Sequence, residues 1–303
     1  MAKPVTFKHR VEYAIFFAIY KSTNLMPRSW YLAVGRGLGW FAWNVMRFRR
    51  QVILDNIRAS FGPEKDDAWV KNVAAAFYRN LGMSVIEFLA SGHESRETIL
   101  ANTKIEGREH LDGLIAEGRG AIVLASHLGN FELVMTRFVC DGYIGHGSAK
   151  PQSNALVDEI HNGIRLAHGG NIVPLGDSFR HFCQVIAKGE FVGLLADQDA
   201  GSRGMFVDFL GRAASVNRGP ATLAVKTRCP FLMTFMIRQP DHTNVLRFGP
   251  VLEIDPSWNN STAIRKMTEM QVAEIEKVVR EYPEMYYWVH RRWKTRPPEN
   301  EKS

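Results

Sequence analysis

One short block holds the residue types that acid–base chemistry needs. Residues 121–132 read AIVLASHLGNFE, so an apolar run ends at His127, Leu-Gly-Asn follows, and Glu132 opens an expected helix. A histidine at the carboxyl end of a strand in an open parallel sheet faces the crevice where ligands bind. As a neutral imidazole it takes the proton of an alcohol and makes that alcohol a nucleophile toward an acyl carbonyl. A carboxylate on the other ring nitrogen fixes the tautomer and stabilises the imidazolium as it forms. Glu132, five positions on across a strand-to-helix turn, is placed to fold back as that carboxylate, and the helix N-terminus favours its ionised form. Gly129 lets backbone approach a substrate closely, and Asn130 beside it is expected at the same site. Ten histidines in a chain with 31 acidic residues make one His-x4-Glu pair expected by chance. The context of strand, His, Gly-Asn and helix carries the reading, not the spacing.

Two further groups stand at chemically useful places. Asp197 and Asp199 end an apolar strand where a Gly-rich loop begins. They fit turn-making, or an Asp-x-Asp pair holding a divalent metal on a nucleotide sugar, the chemistry of a glycosyltransferase. Arg165 lies in an expected helix, where a guanidinium is either solvated or set to grip a phosphorylated acceptor or a developing oxyanion.

The elements that must position these residues are legible in the hydrophobic pattern. Short apolar runs at 121–126, 171–175, 191–196 and 230–237 predict buried strands. Amphipathic stretches at 130–140, 154–168, 178–188 and 217–228 predict the helices between them. Longer helices are predicted over 66–90 and near 258–281, and a basic, aromatic tail follows. Strands alternating with helices imply an α/β domain with a mostly parallel sheet flanked by helices.

Charge separates the N-terminal segment from the rest. Residues 1–50 hold nine Lys and Arg against Glu12 alone, while the remaining chain is nearly balanced, 29 basic to 30 acidic. The same segment carries VEYAIFFAIY at 11–20 and WYLAVGRGLGWFAWNVM at 30–46, with Lys21, Arg28 and Arg36 interrupting the apolar runs. A spanning helix needs about 20 mostly apolar residues. Basic residues interleaved with Trp, Phe and Leu suit helices lying at the headgroup level of an anionic bilayer. KSTNLMPRS offers no small-x-small cleavage site, which argues against a cleaved signal peptide. A membrane-associating helical arm over 1–48 and an α/β domain over 49–303 are therefore expected, and with no linker between them they should form one unit. A tilted single span with snorkelling ends and an amphipathic arm folded on the protein's own core stand as alternatives.

Several function classes lose support. Three cysteines without a CxxC pair exclude a disulfide framework and point to a reducing compartment. No GxxxxGK[ST], HExxH or GxSxG occurs, and Trp40 breaks a GxGxxG reading of Gly35, Gly37 and Gly39. The basic stretch 290–296 suits phospholipid, an acidic carrier protein or nucleic acid, but no zinc-finger, helix-turn-helix or RNA-stacking signature accompanies it, so no nucleic-acid partner is expected.

The block SHLGNFE resembles the HX4(D/E) motif of the lysophospholipid acyltransferase superfamily, and within it the bacterial lipid A late acyltransferases. Other segments are similar in the same order: RRQVILDNIRASFG (49–62), KPQSNALVDEIHNGIR (150–165), GEFVGLLADQDAG (189–201) and YYWVHRRWKTRP (286–297). The likeness runs from about residue 11 to 297. It implies a glycerol-phosphate acyltransferase-like fold and acyl transfer from a thioester, on acyl carrier protein or coenzyme A, to a hydroxyl of a membrane glycolipid such as a lipid A precursor. It implies His127 as general base and Glu132 as its partner. Arg165 and Asp197 match the family's functional arginine and first aspartate, and are expected at the substrate with Gly129 and Asn130. No metal and no cofactor is expected. The implied place is the cytoplasmic face of a bacterial inner membrane. One departure is local: the family commonly has Tyr-Arg before the proline at 151, and this chain has Ala149-Lys150, a point charge in place of a planar fork. Besides the metal-dependent glycosyltransferase, a non-catalytic lipid-binding protein stands as an alternative.

Overall fold

The computed structural model describes residues 5–174 and 178–298. Lys3 of the basic segment and position 175, at the end of one expected strand, lie outside them. In chain order the strands are β1 (Thr103–Glu106), β2 (Ala121–Ala125), β3 (Gly145–Ala149), β4 (Asn171–Pro174), β5 (Phe191–Leu195), β6 (Met205–Phe209), β7 (Arg212–Val216), β8 (Phe231–Arg238) and β9 (Asn244–Leu252). Seven of them form one sheet in the order β1-β9-β8-β2-β5-β3-β4. Every neighbouring pair in it is parallel except β8–β9. The remaining two, β6 and β7, make a separate antiparallel hairpin. The fold is α/β with a mostly parallel sheet between helices.

The helices are α1 (Phe7–Thr23), α2 (Arg28–Phe41), α3 (Arg50–Phe61), α4 (Asp67–Ser91), α5 (Arg96–Asn102), α6 (Arg108–Ala116), α7 (Leu133–Cys140), α8 (Ala155–Leu166), α9 (Ser178–Ala187), α10 (Gly219–Thr227) and α11 (Asn260–Glu281). The two longest start at side-chain caps. Asp66 accepts from the Trp69 N–H at 2.8 Å, and Asn259 accepts from that of Thr262 at 2.9 Å, each satisfying a donor the helix leaves free.

The central strand shows why its sequence is apolar throughout. Ile122 and Leu124 of β2 enter the larger core, while Val123 and Ala125 enter a second core on the opposite face. Covered on both sides, the strand has no polar face. Strands β1, β3, β6, β7 and β9 and helices α5 and α6 were not expected. In β3 the reason is plain, since GHGSA has two glycines and no apolar run.

The N-terminal helices are walls of the same unit. Backbones of α2 and α4 touch: a Cβ on Gly35 would sit 2.7 Å from the Gly82 carbonyl oxygen, and Gly39 abuts the backbone of Tyr78. Small residues four apart permit this approach, so the glycines that fail a nucleotide-loop pattern serve helix packing. Tyr31 and Leu32 are buried there. Among the described residues no helix is long and apolar enough to cross a membrane.

Candidate active site

Strands β2 and β5 run parallel in register, with Ala125 opposite Leu195. Two residues past each strand end, His127 and Asp197 therefore emerge side by side. Asp197 is buried and turns both oxygens to the histidine. Oδ2 accepts from the His127 backbone N–H at 2.9 Å, and Oδ1 lies 2.6 Å from Nδ1. That contact assigns the ring proton to Nδ1 and leaves the lone pair on Nε2, where the Gln198 amide nitrogen stands at 3.1 Å. Burial by itself pushes the His127 pKa down. The Asp197 carboxylate against it, with a smaller push from Glu132, outweighs burial and holds the ring above the ordinary histidine value. Burial likewise pushes the Asp197 carboxyl up, but His127 and then Arg292 hold it below the usual range.

Glu132, the expected partner of His127, is instead bonded to Arg165. It stands just before α7 without a side-chain capping bond and is held from α8 by Arg165, whose Nε and Nη2 donate to its two oxygens at 2.9 and 2.6 Å. A forked guanidinium satisfies both carboxylate oxygens, and no hydrogen bond joins Glu132 to the imidazole. The carboxylate that stands against the imidazole is that of Asp197, a residue expected at the substrate. Arg165 and Glu132 together line the cavity beside His127.

The loop between His127 and Glu132 is fastened from behind. The Gly129 N–H donates to the Met285 carbonyl and that of Tyr287 to the His127 carbonyl, both at 2.9 Å. Gly129 has a φ of +59°, and a Cβ there would strike the Met236 carbonyl oxygen. The close approach of strand β8 thus requires glycine at this position. Asn130, expected at the substrate, is tied to α4. Its buried amide donates to Glu87 Oε2 at 2.8 Å. Glu87 further accepts from Arg238 at 2.7 Å, from Asn244 at 2.9 Å, and from Arg28. Removing one partner of such a buried pair costs about 3–5 kcal/mol.

Asp199 is equally occupied: it accepts from the Thr295 hydroxyl at 3.0 Å and the Gly201 N–H at 3.1 Å, with Lys294 at 3.5 Å. The Asp-x-Asp pair therefore presents no open carboxylates for a metal-bound nucleotide. Among the described residues no group of three or more His, Cys, Asp or Glu could hold a metal ion. The basic tail is partly core, since Trp288, Arg292 and Trp293 are buried and Arg292 donates to the Ser215 carbonyl at 2.6 Å.

His127 stands at one end of a cavity of about 480 Å³ between α7 and strands β2, β3 and β5. Glycines on the strands open it. A Cβ on Gly145 would lie 2.7 Å from the Met135 sulfur, and one on Gly147 or Gly193 would lie 3.1 or 3.6 Å from its methyl. Val123, Phe138 and Phe191 complete apolar walls, and Lys150, Arg165 and Gln198 add polar groups. An apolar slot with a few polar groups and one perturbed histidine has the build of a ligand site. Sequence reasoning missed Gln198, Glu87 and Met135. The signal for Asp197 as the histidine's partner was its offset, two residues past a strand, the same as that of His127.

A family model described as bacterial lipid A biosynthesis acyltransferase matches residues 3–295. The lipid A biosynthesis lauroyltransferase of Escherichia coli (strain K12) is 26% identical over 267 residues, 87% of this chain and 85% of its own length. The phosphatidylinositol mannoside acyltransferase of Mycobacterium tuberculosis is 30% identical over 143 residues, 43% and 42% of the two chains. Among solved structures, the 1-acyl-sn-glycerophosphate acyltransferase PlsC of Thermotoga maritima covers 84% of this chain and 96% of its own, with a TM-score of 0.38 and 15% identity.

Proposed function

The chain belongs to the bacterial lipid A biosynthesis acyltransferase family, and from that premise we propose that His127 is the general base for acyl transfer from a thioester to a hydroxyl of a lipid A precursor or related glycolipid. The observation that carries this reading is the His127–Asp197 pair beside an apolar cavity. The acceptor hydroxyl takes the place of the Gln198 amide at Nε2 and gives up its proton there as its oxygen attacks the thioester carbonyl. The new C–O ester bond forms, the C–S bond breaks, and the imidazolium returns the proton to the departing thiolate. Asp197 keeps Nδ1–H in place throughout and stabilises the transient imidazolium. The donor chain lies along the glycine-floored cavity, and Arg165, Glu132 and Lys150 face the polar parts of the substrates. The donor is carried by acyl carrier protein or coenzyme A.

The site of work is the cytoplasmic face of the inner membrane, with residues 1–48 as the associating arm. Supporting this, α1 and α2 present large apolar side chains to solvent, including Phe7 at 82% and Trp30 at 68% exposure, with Val34, Leu38 and Phe41 along the same helix. Lys8, Arg10, Lys21 and Arg36 stand among them. Such a surface suits an anionic interface.

The test is transfer of a radiolabelled acyl chain by purified protein to a lipid A precursor, a lysophospholipid and a mannosylated phosphoinositide, with and without a chelator. Transfer to the precursor that chelation does not touch is the expected result. Transfer to none of the three would end this reading.

A further inference from the structure

A second cavity, of about 220 Å³, meets His127 from the other side. It lies between α1, α4 and α8, and four residues wall both cavities: His127, Phe131, Glu132 and Tyr287. Phe131 stands edge-on to the imidazole, centroids 4.6 Å apart, and Tyr287 is tilted at 5.8 Å. The imidazole is thus part of a thin aromatic partition between two chambers.

The walls of the smaller chamber are hydrocarbon and aromatic. Phe77, Leu81, Val85 and Phe88 come from α4 and Phe16 from α1. Among its polar groups, Asn130 is bound to Glu87 and Asn80 donates to the Glu284 carbonyl at 3.3 Å, which leaves the buried Nδ1 of His161, stacked on Phe16 and tilted against Phe88, as the polar atom without a partner. A sugar headgroup would find few partners here, and burying its hydroxyls unpaired is costly. A hydrocarbon chain would lose nothing. Val85 lines this chamber and is 47% exposed, and Val11 and Ile15 of α1 are exposed apolar side chains as well. With the donor chain assigned to the larger cavity in the reading above, the smaller one is the second apolar space that reaches the same base.

We propose that the smaller cavity holds a hydrocarbon chain of the lipid acceptor, running from the hydroxyl at His127 outward between α1 and α4 toward the membrane. This rests on the acyltransferase reading above. It adds that the acceptor is recognised by its tail as well as its headgroup.

Val85→Trp fills the chamber from an exposed position, so folding is preserved and is checked by thermal melting. The expected result is a rise of about tenfold in KM for the full-length lipid acceptor, with the donor KM unchanged. Against a soluble, short-chain acceptor of the same headgroup the variant and the wild type should agree. An unchanged KM for the full-length acceptor would overturn the proposal. So would a change in the preferred donor chain length, which would give this chamber to the donor. Failure of the wild type to acylate any lipid would instead remove the acyltransferase reading on which the proposal stands.

Discussion

The Nδ1 atom of His127 lies 2.6 Å from Oδ1 of Asp197, a residue seventy positions away in the chain. No hydrogen bond joins the ring to Glu132, and the proposed mechanism has Asp197 set its tautomer. Asp197→Asn should therefore lower kcat by about 10²-fold or more, the usual worth of a positioned base. Glu132→Gln keeps the side chain at the cavity rim and should cost less in kcat, with its effect falling on substrate KM through Arg165. Steady-state kinetics of the two variants side by side make the comparison. A larger kcat loss in the glutamine variant would restore Glu132 as the partner.

Acid should silence the enzyme earlier than an ordinary histidine would. The ring must be neutral to accept a proton, and Asp197 holds its pKa above the usual value. Activity is thus present above that raised pKa and is lost as pH falls through it. The acid limb of kcat/KM is expected above about 6.5. In Asp197→Asn the limb should move to lower pH even as the rate falls, because burial then acts on the ring without its counter-charge. A limb unmoved by the substitution would separate Asp197 from the titrating group.

Donor chain length should answer to Met135. Its thioether lies over Gly145, Gly147 and Gly193 in the larger cavity, and methionine repacks easily. Met135→Ala lengthens the slot and should shift preference to longer chains. Gly147→Val pushes the thioether into it and should shift preference to shorter ones. Each methylene gained or lost is worth about 0.8 kcal/mol, about fourfold in kcat/KM. Competition among thioesters of graded length reads the shift directly, and an unaltered profile in both variants would take the donor chain out of this cavity.

Membrane attachment is best tested on the outer face of α2. Deleting the arm would strip α4 of the packing made by Tyr31, Leu32 and the Gly35–Gly82 contact, so loss of binding would be confounded with unfolding. Trp30→Ser, Leu38→Ser and Phe41→Ser remove exposed apolar side chains only. Each is expected to weaken partitioning onto anionic vesicles about tenfold, from about 1.5 kcal/mol of lost apolar burial, with little change in melting temperature. Undiminished vesicle binding by the triple variant would place the contact elsewhere.

Much of this architecture is visible in the amino-acid order, and the misses have physical causes. The strand ending at His127 and the helix after it are legible because burial on both faces forces an unbroken apolar run. Register between strands is not legible, and it alone brings Asp197 to the ring. Strand β3 escaped because its glycines, which open the cavity, erase the apolar signature of a strand. The Glu87 cluster escaped as well, since Arg28, Asn130 and the hairpin pair Arg238 and Asn244 reach it from three distant segments.

The central claim is that His127 takes the acceptor's proton. Its most direct test is the single-turnover rate of acyl transfer from thioester to lipid acceptor by His127→Ala, with both substrates saturating and folding verified. The expected result is a rate at least about 10²-fold below wild type with acceptor binding retained. Transfer at the wild-type rate would contradict the account.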